Sequence, residues 1–363
     1  MSWAQEPPLN HPRFRAMAAV CNAPPPGSGT RIYAVGGYDS TAAGISTVVE
    51  AYDTTQKTWS TTAPILSPRS GFAVVSVGGE LHALGGFDDS YTQLATHEVY
   101  DPTTNKWSSL APLPTARANL AAVTGTDGLI YAIGGSGSPN YLSTVEAYDP
   151  AHDTWTSKQQ MLTPRMGLAT VATSNGSIYA IGGINSAIVN SVEIFNVAAN
   201  SWTAGSHPLP LPTAWLGAAV GPNGLIYAIG GIQQQPGAST PPFVANVYSY
   251  NPAGILGWAQ QAPQPDVRAC PAVATGPDGL AYAIGGMACP QQVIVGEVEA
   301  YTFDKCDYIE YQIGLAGQQL AAAGDSLDGG DLTLQQRAAG EKALIGLRTQ
   351  LENLEKALNI CRE

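Results

Sequence analysis

Five arginines stand ten residues after a tryptophan: Arg13 after Trp3, Arg69 after Trp59, Arg117 after Trp107, Arg165 after Trp155 and Arg268 after Trp258. A guanidinium offers a planar fork of N–H donors that fits a carboxylate or a phosphate. Gathered on one surface, these groups would focus positive potential on an anionic ligand. Each also has a structural reading, in which it bonds carbonyls of a neighbouring repeat. Arg15 stands outside the spacing pattern, which favours the ligand reading for it. Asp39, Asp88, Asp89 and Asp266 fall on the same face and could pair with the arginines instead.

The pattern breaks once. After Trp202 the step of ten becomes thirteen, and Trp215 stands where an arginine is expected. The segment after Gly231, Ile232 to Ala245, is also the longest of its kind and carries Gln233, Gln234, Gln235 and Phe243. Irregular loops on a regular scaffold are where binding residues concentrate. Trp215, Phe243, Gln233 and His207, beside the arginines, are therefore the expected specific site, with Tyr38, Asp39, Phe87 and Asp88 on the same face. The plainer reading of Trp215 is a cover for the longer loops.

Other reactive groups do not converge. His82 and His97 replace a tyrosine and a valine of apolar strands and read as packed core residues, and His152 lies in a turn on the opposite face. A zinc or copper site needs several such ligands together, so no metal and no cofactor is expected. Cys270 and Cys289 have no histidine placed to activate them as nucleophiles. Acid–base isomerisation by Arg117 or Arg165 with Asp88 or Tyr38 stays open.

The elements that carry these residues recur. Glycine pairs at 36–37, 85–86, 134–135, 182–183, 230–231 and 285–286 are separated by 49, 49, 48, 48 and 55 residues. Each ends an apolar run such as Ile130-Tyr131-Ala132-Ile133, preceded by a small-residue strand and followed by one like Val145-Glu146-Ala147-Tyr148-Asp149, then a tryptophan. Four short strands per repeat make one antiparallel sheet. Paired glycines suit a crowded strand end where a Cβ would collide, and one indole per sheet fills the wedge between neighbours. The sixth repeat lacks its tryptophan, whereas Trp3 and Arg13 keep the spacing at the other end of the chain. The N-terminal segment is thus expected to supply the last outer strand.

The glycine pair, the Tyr-Asp that follows and the spaced tryptophan resemble the kelch motif over roughly residues 1–304. The resemblance implies an all-β fold, a six-bladed kelch β-propeller closed by its N-terminal strand. Kelch proteins are mostly binding scaffolds, including substrate adaptors of ubiquitin ligases; a minority are enzymes, among them sialic-acid mutarotases, iron-dependent specifier proteins and copper-containing galactose oxidase. The ligand patterns of the two metal classes are not found here. The expected function is a non-catalytic scaffold binding an anionic peptide or protein, or a small anionic ligand, at the arginine-rich face. The alternative is a mutarotase-like isomerase in its central mouth.

Residues 305–363 form the second expected domain, with 15 of the 44 charged residues and no proline or tryptophan. Leu344, Leu347, Leu351, Leu354, Leu358 and Cys361 repeat at heptad spacing, and Ile309, Ile313, Ala316, Leu320 and Ala323 do likewise, which predicts a C-terminal α-helical hairpin. Segment 332–361 is a candidate for self-association. A net charge of −12 opposes nucleic acid as partner, and no apolar run is long enough for a membrane span. Five cysteines without a pairing pattern and no visible secretory signal point to a cytoplasmic protein.

Overall fold

The computed structural model describes residues 3–22, 30–39, 44–138, 140–234, 242–252, 257–288, 293–303, 313, 320 and 334–362. The chain divides into one compact unit spanning Ser2–Thr302 and another that holds Phe303–Glu363.

The described residues of the first unit contain six four-stranded antiparallel arrays in chain order. Blade one runs Met17–Asn22, Thr30–Val35, Val49–Asp53 and Thr58–Thr61. Blade two runs Ala73–Val77, Glu80–Leu84, His97–Asp101 and Lys106–Ser109. Blade three runs Ala121–Thr124, Ile130–Ile133, Val145–Asp149 and Thr154–Ser157. Blade four runs Ala169–Thr173, Ser177–Ile181, Val192–Asn196 and Ser201–Ala204. Blade five runs Gly217–Val220, Ile226–Ile229, Val247–Tyr250 and Ala259–Gln261. Blade six runs Ala272–Thr275, Ala281–Ala288 and Val293–Tyr301, with Trp3–Glu6 as its fourth strand. Each first strand packs against the first strand of the next blade, and that of blade six against that of blade one. The second strands are apolar along their length because both faces are covered: Ile130, Tyr131, Ala132 and Ile133 are all buried.

The N-terminal strand behaves as its spacing predicts. Trp3 lies opposite Tyr301, the register that Trp59 keeps with Tyr52 and Trp107 with Tyr100. Every outer-strand indole N–H donates to a carbonyl of the preceding blade: Trp3 to Ala262, Trp59 to Pro7, Trp107 to Ala63, Trp155 to Ala111, Trp202 to Gln159 and Trp258 to His207, at 2.8–3.2 Å. The tryptophan spacing is therefore an inter-blade bond as well as a wedge.

One glycine pair shows why the position admits nothing larger. Gly85 has φ of 65°, and a Cβ there would lie 2.5 Å from the Arg117 carbonyl of the next blade. That same carbonyl accepts the Gly86 N–H at 2.9 Å. A side chain would separate two blades as well as strain the backbone.

His82 and His97 are packed, as their places in apolar strands suggest. Both are 1% exposed, with His82 Nδ1 2.9 Å from His97 Nε2 and His97 Nδ1 3.1 Å from the Ala111 carbonyl. Burial pushes His82 down to about 3, with His97 adding to it, and pushes His97 down to about 4. Both are neutral in the fold at pH 5, whereas the unfolded chain protonates them below about 6.5. The unfolded state then binds more protons, so stability falls as pH drops from about 6.5 toward 4, at up to about 1.4 kcal/mol per pH unit for each histidine. A His82→Tyr/His97→Val variant, restoring the residues of the other repeats, should show a flatter acid limb in pH-dependent thermal melts. An unchanged limb would remove the histidines as its cause.

The second unit holds the helix α1, Leu334–Arg362. Along it Leu344, Leu347, Leu351 and Leu354 are half-buried while most of their neighbours are exposed, the stripe that the heptad spacing predicts. It is the one helix of more than a single residue among the described residues. The other expected arm, 309–323, lies outside them apart from positions 313 and 320.

Candidate functional site

The five spaced arginines are not surface cations, and this corrects the expectation of an arginine-rich face. Arg13, Arg69, Arg117, Arg165 and Arg268 are 0% exposed. Each folds inward onto its own blade and meets the glutamate of the third strand: Arg13–Glu50 at 2.8 Å, Arg69–Glu98 at 3.2 Å, Arg165–Glu193 at 3.1 Å, Arg268–Glu299 at 3.0 Å, and Arg117–Glu146. Backbone carbonyls take further N–H groups, as where Arg117 donates to Gly134 and Thr144 and Arg165 to Gly182 and Ser191. Those carbonyls sit at the glycine pair and the loop that follows. Burial pulls the guanidiniums of Arg13, Arg69, Arg117 and Arg165 down, Arg69 to about 10, with the paired carboxylate opposing the fall. Burial likewise raises Glu299 to about 7 against the pull of Arg268. The physical reason is local: the enclosed fork finds a buried carboxylate and carbonyls with a second lone pair, such as that of Thr144, which also accepts the Gly134 N–H. The structural reading therefore holds, with the partners in the arginine's own blade.

Blade five lacks the pair altogether. Thr213, and not Trp215, takes the arginine's place: its carbonyl accepts the Gly183 N–H at 2.9 Å, as the Arg165 carbonyl accepts that of Gly135. Tyr248 stands in the glutamate position, pairing with Ala228 as Glu146 pairs with Ala132. Gln233, expected on the binding face, is 0% exposed and accepts from the Asn246 side chain at 2.9 Å. Phe243 forms a bridge with Ile232 and is half-buried. His207 lies with the outer strands against Tyr250, its carbonyl on the Trp258 indole. The structure thus separates His207 and Gln233 from the site expected around Trp215. Asp39 is buried too, its backbone paired with Arg13.

Trp215 and Arg15 do meet. Two residues beyond each arginine position lie Arg15, Gly71, Asn119, Gly167, Trp215 and Cys270, and all six have φ between 52° and 63°. Their backbones link blade to blade: Asn119 N–H to Gly71 O, Gly167 to Asn119, Trp215 to Gly167 and Cys270 to Trp215, at 2.5–3.1 Å. This left-handed step costs about 1–2 kcal/mol for each non-glycine residue. The six residues rim a cavity of ≈ 90 Å³ at the inner ends of the blades, with Ala16, Phe72, Leu120, Leu168, Leu216 and Pro271 beneath them. Deeper spaces of ≈ 120 and ≈ 340 Å³ follow along the first strands. Trp215 covers Gly167, where a Cβ would lie 2.7 Å from the indole. The Arg15 guanidinium lies 5.1 Å from the Trp215 ring centre, 5.1 Å from Phe14 and 5.8 Å from Phe87. Burial raises the Cys270 thiol, and a hydrogen bond and the charge of Arg15 oppose the rise.

A second hollow of ≈ 380 Å³ lies between loops of blades one and two, with Tyr38, Phe87 and Asp88 in its wall. Asp88 Oδ1 accepts the N–H groups of Ser90 and Thr92 at 2.9 Å and so shapes its own loop. The acid–base set considered for catalysis is not assembled, since Arg117 and Arg165 are enclosed with Glu146 and Glu193. Among the described residues no three His, Cys, Asp or Glu side chains could hold a metal ion together. No described helix is long and apolar enough to cross a membrane.

Sequence reasoning named Arg15 and Trp215 but missed the glutamates and the place of Asn119 on the rim. The glutamates left a signal, being the second residue of each Val-Glu-Ala-Tyr-Asp-like strand and vanishing in the repeat that also loses its arginine. Asn119, like Cys270, keeps the two-residue offset from its arginine, but nothing in the spacing shows that this offset turns inward.

The KLHDC2/KLHL20/DRC7 Kelch-repeats domain family matches residues 27–231. The structure of YjhT aligns with 83% of this chain and 98% of its own at a TM-score of 0.67 and 16% identity, a likeness of fold. Comparison with curated proteins gives no match. Six repeated sheets, the glycine-pair contacts and a family match over more than half of the residues lead to one conclusion: the chain belongs to the kelch-repeat family.

Proposed function

We propose that this kelch propeller is a non-catalytic binding platform, and that the face around Trp215 and Arg15 holds a segment of a protein or peptide. The observation that supports it most is the rim of left-handed residues. Arg15, Asn119, Trp215 and Cys270 break the sixfold repeat at its axis and hold a strained backbone there. Side chains kept in such conformations on a rigid scaffold point to recognition. Of the six arginines expected on this face, Arg15 is the one not tied to a buried glutamate, so any anionic feature of the partner would fall to it.

The test is capture of proteins from the source cells by wild type and by Arg15→Gly/Trp215→Gly. Glycine suits both positive φ values, so the variant should fold with an unlowered melt. A partner held by wild type and reduced by about tenfold or more in the variant is the expected result, given how interface energy concentrates in Trp and Arg. Retention by both proteins alike, or by neither, would reject the platform at this face.

A further inference from the structure

We infer that the hollow between blades one and two receives the cationic end of a lysine or arginine side chain from the partner, an inference that rests on the platform reading above. Its volume of ≈ 380 Å³ is enclosed by Tyr38, Ile45, Phe87, Asp88, Asp89 and Tyr91, with Gly44 at its edge. The wall therefore combines two carboxylates with three aromatic rings and, among the described residues, holds no basic side chain.

Asp88 is fixed by the N–H groups of its own loop. Asp89 is exposed, its Oδ1 3.4 Å from the Ile45 N–H across the hollow. Tyr91 is 74% exposed yet sits at φ of 59°, a conformation that a bulky residue rarely adopts. Its ring stacks on Phe87 at 5.3 Å and 22°. An aromatic side chain held in strain, without burial to offset it, is poised for something outside the fold.

The chemistry suits an alkyl cation. Aromatic faces attract ammonium and guanidinium groups, two carboxylates supply charge, and the rings cover an aliphatic stem. The nearby cation, Arg15, lies over Phe14, Phe87 and Trp215. A net charge of −12 steers a basic segment toward the protein. An acidic ligand would meet like charge in the hollow.

The probes are Nα-acetyl-lysine and Nα-acetyl-arginine N-methylamides, with the neutral norleucine derivative as control, titrated into the full chain by ligand-observed NMR. The cationic probes should bind about tenfold or more tightly than norleucine and weaken as salt rises from about 0.05 to 0.5 M. Asp89→Asn and Tyr91→Gly should each weaken them by about fivefold or more, and Tyr91→Gly should not lower the melt because it relieves the positive φ. Equal binding of norleucine, no binding of either cation, or full affinity in both variants would overturn the pocket. Cation binding with no protein captured in the preceding experiment would overturn the partner assignment through the platform reading. A captured partner with no probe bound would overturn the pocket alone.

Discussion

Deleting residues 1–10 should lower the melting temperature of this propeller by about 10 °C or more, because one blade would lose its outer strand. Trp3–Glu6 pairs with the third strand of blade six in the same register as the intact outer strands. The Trp3 indole donates to Ala262 of blade five, and the Pro7 carbonyl accepts the Trp59 indole of blade one. Leu9 is 3% exposed, packs among Ile284 and Val298, and donates its N–H to Gly296. Emptying a buried leucine site alone costs about 2–5 kcal/mol. Glu6 goes too, stranding the Tyr52 hydroxyl that donates to it at 2.6 Å and Lys57 at 2.8 Å. The loss therefore reaches three blades and leaves an unpaired strand edge. Calorimetry of the truncated and full chains checks this, and a synthetic 1–10 peptide added in trans should recover part of the melt. A melt unchanged to within about 2 °C would mean that the pairing contributes little.

Glu146→Ala should destabilise the protein by about 3–5 kcal/mol, since it leaves the Arg117 guanidinium buried without its counter-charge. Arg117 is 0% exposed, so no water stands beside its guanidinium to replace the lost carboxylate. The double variant Arg117→Met/Glu146→Leu should recover most of that loss. Blade five already manages without either charge, through Thr213 and Tyr248, and replacing both members of a buried pair by apolar groups is often close to neutral. Denaturant titrations of the two variants decide the matter. If the single variant loses under about 1 kcal/mol, or the double is worse than the single, the buried charge of Arg117 does not depend on Glu146.

How legible the site was differs from how legible the fold was. Gly85-Gly86, the apolar run before it and the indole after it carry local meaning: each residue type meets a steric or hydrophobic demand within its own repeat, and repetition multiplied the signal. The same spacing that set Trp59 and Arg69 apart also linked Trp3 and Arg13, so even the strand that joins the two ends of the unit could be foreseen. The arginines were different. Their regularity said that they shared one role, and a role repeated in every blade but one is more readily a strut than a recognition group.

Sequence by itself therefore determined the repeats, the four-stranded sheets and the return of the N-terminal strand, because these rest on periodicity and on side-chain size. Only the tertiary structure decided which way the arginines face and which residues rim the axis. Arg117 and Glu146 are 29 positions apart and meet only when the strands between them have folded. Whether a cation turns outward or inward depends on the carbonyls and carboxylate enclosed beside it. The inward aim of Asn119, Trp215 and Cys270 depends on a positive φ, a backbone choice made by the hydrogen bonds between blades rather than by the residues that adopt it.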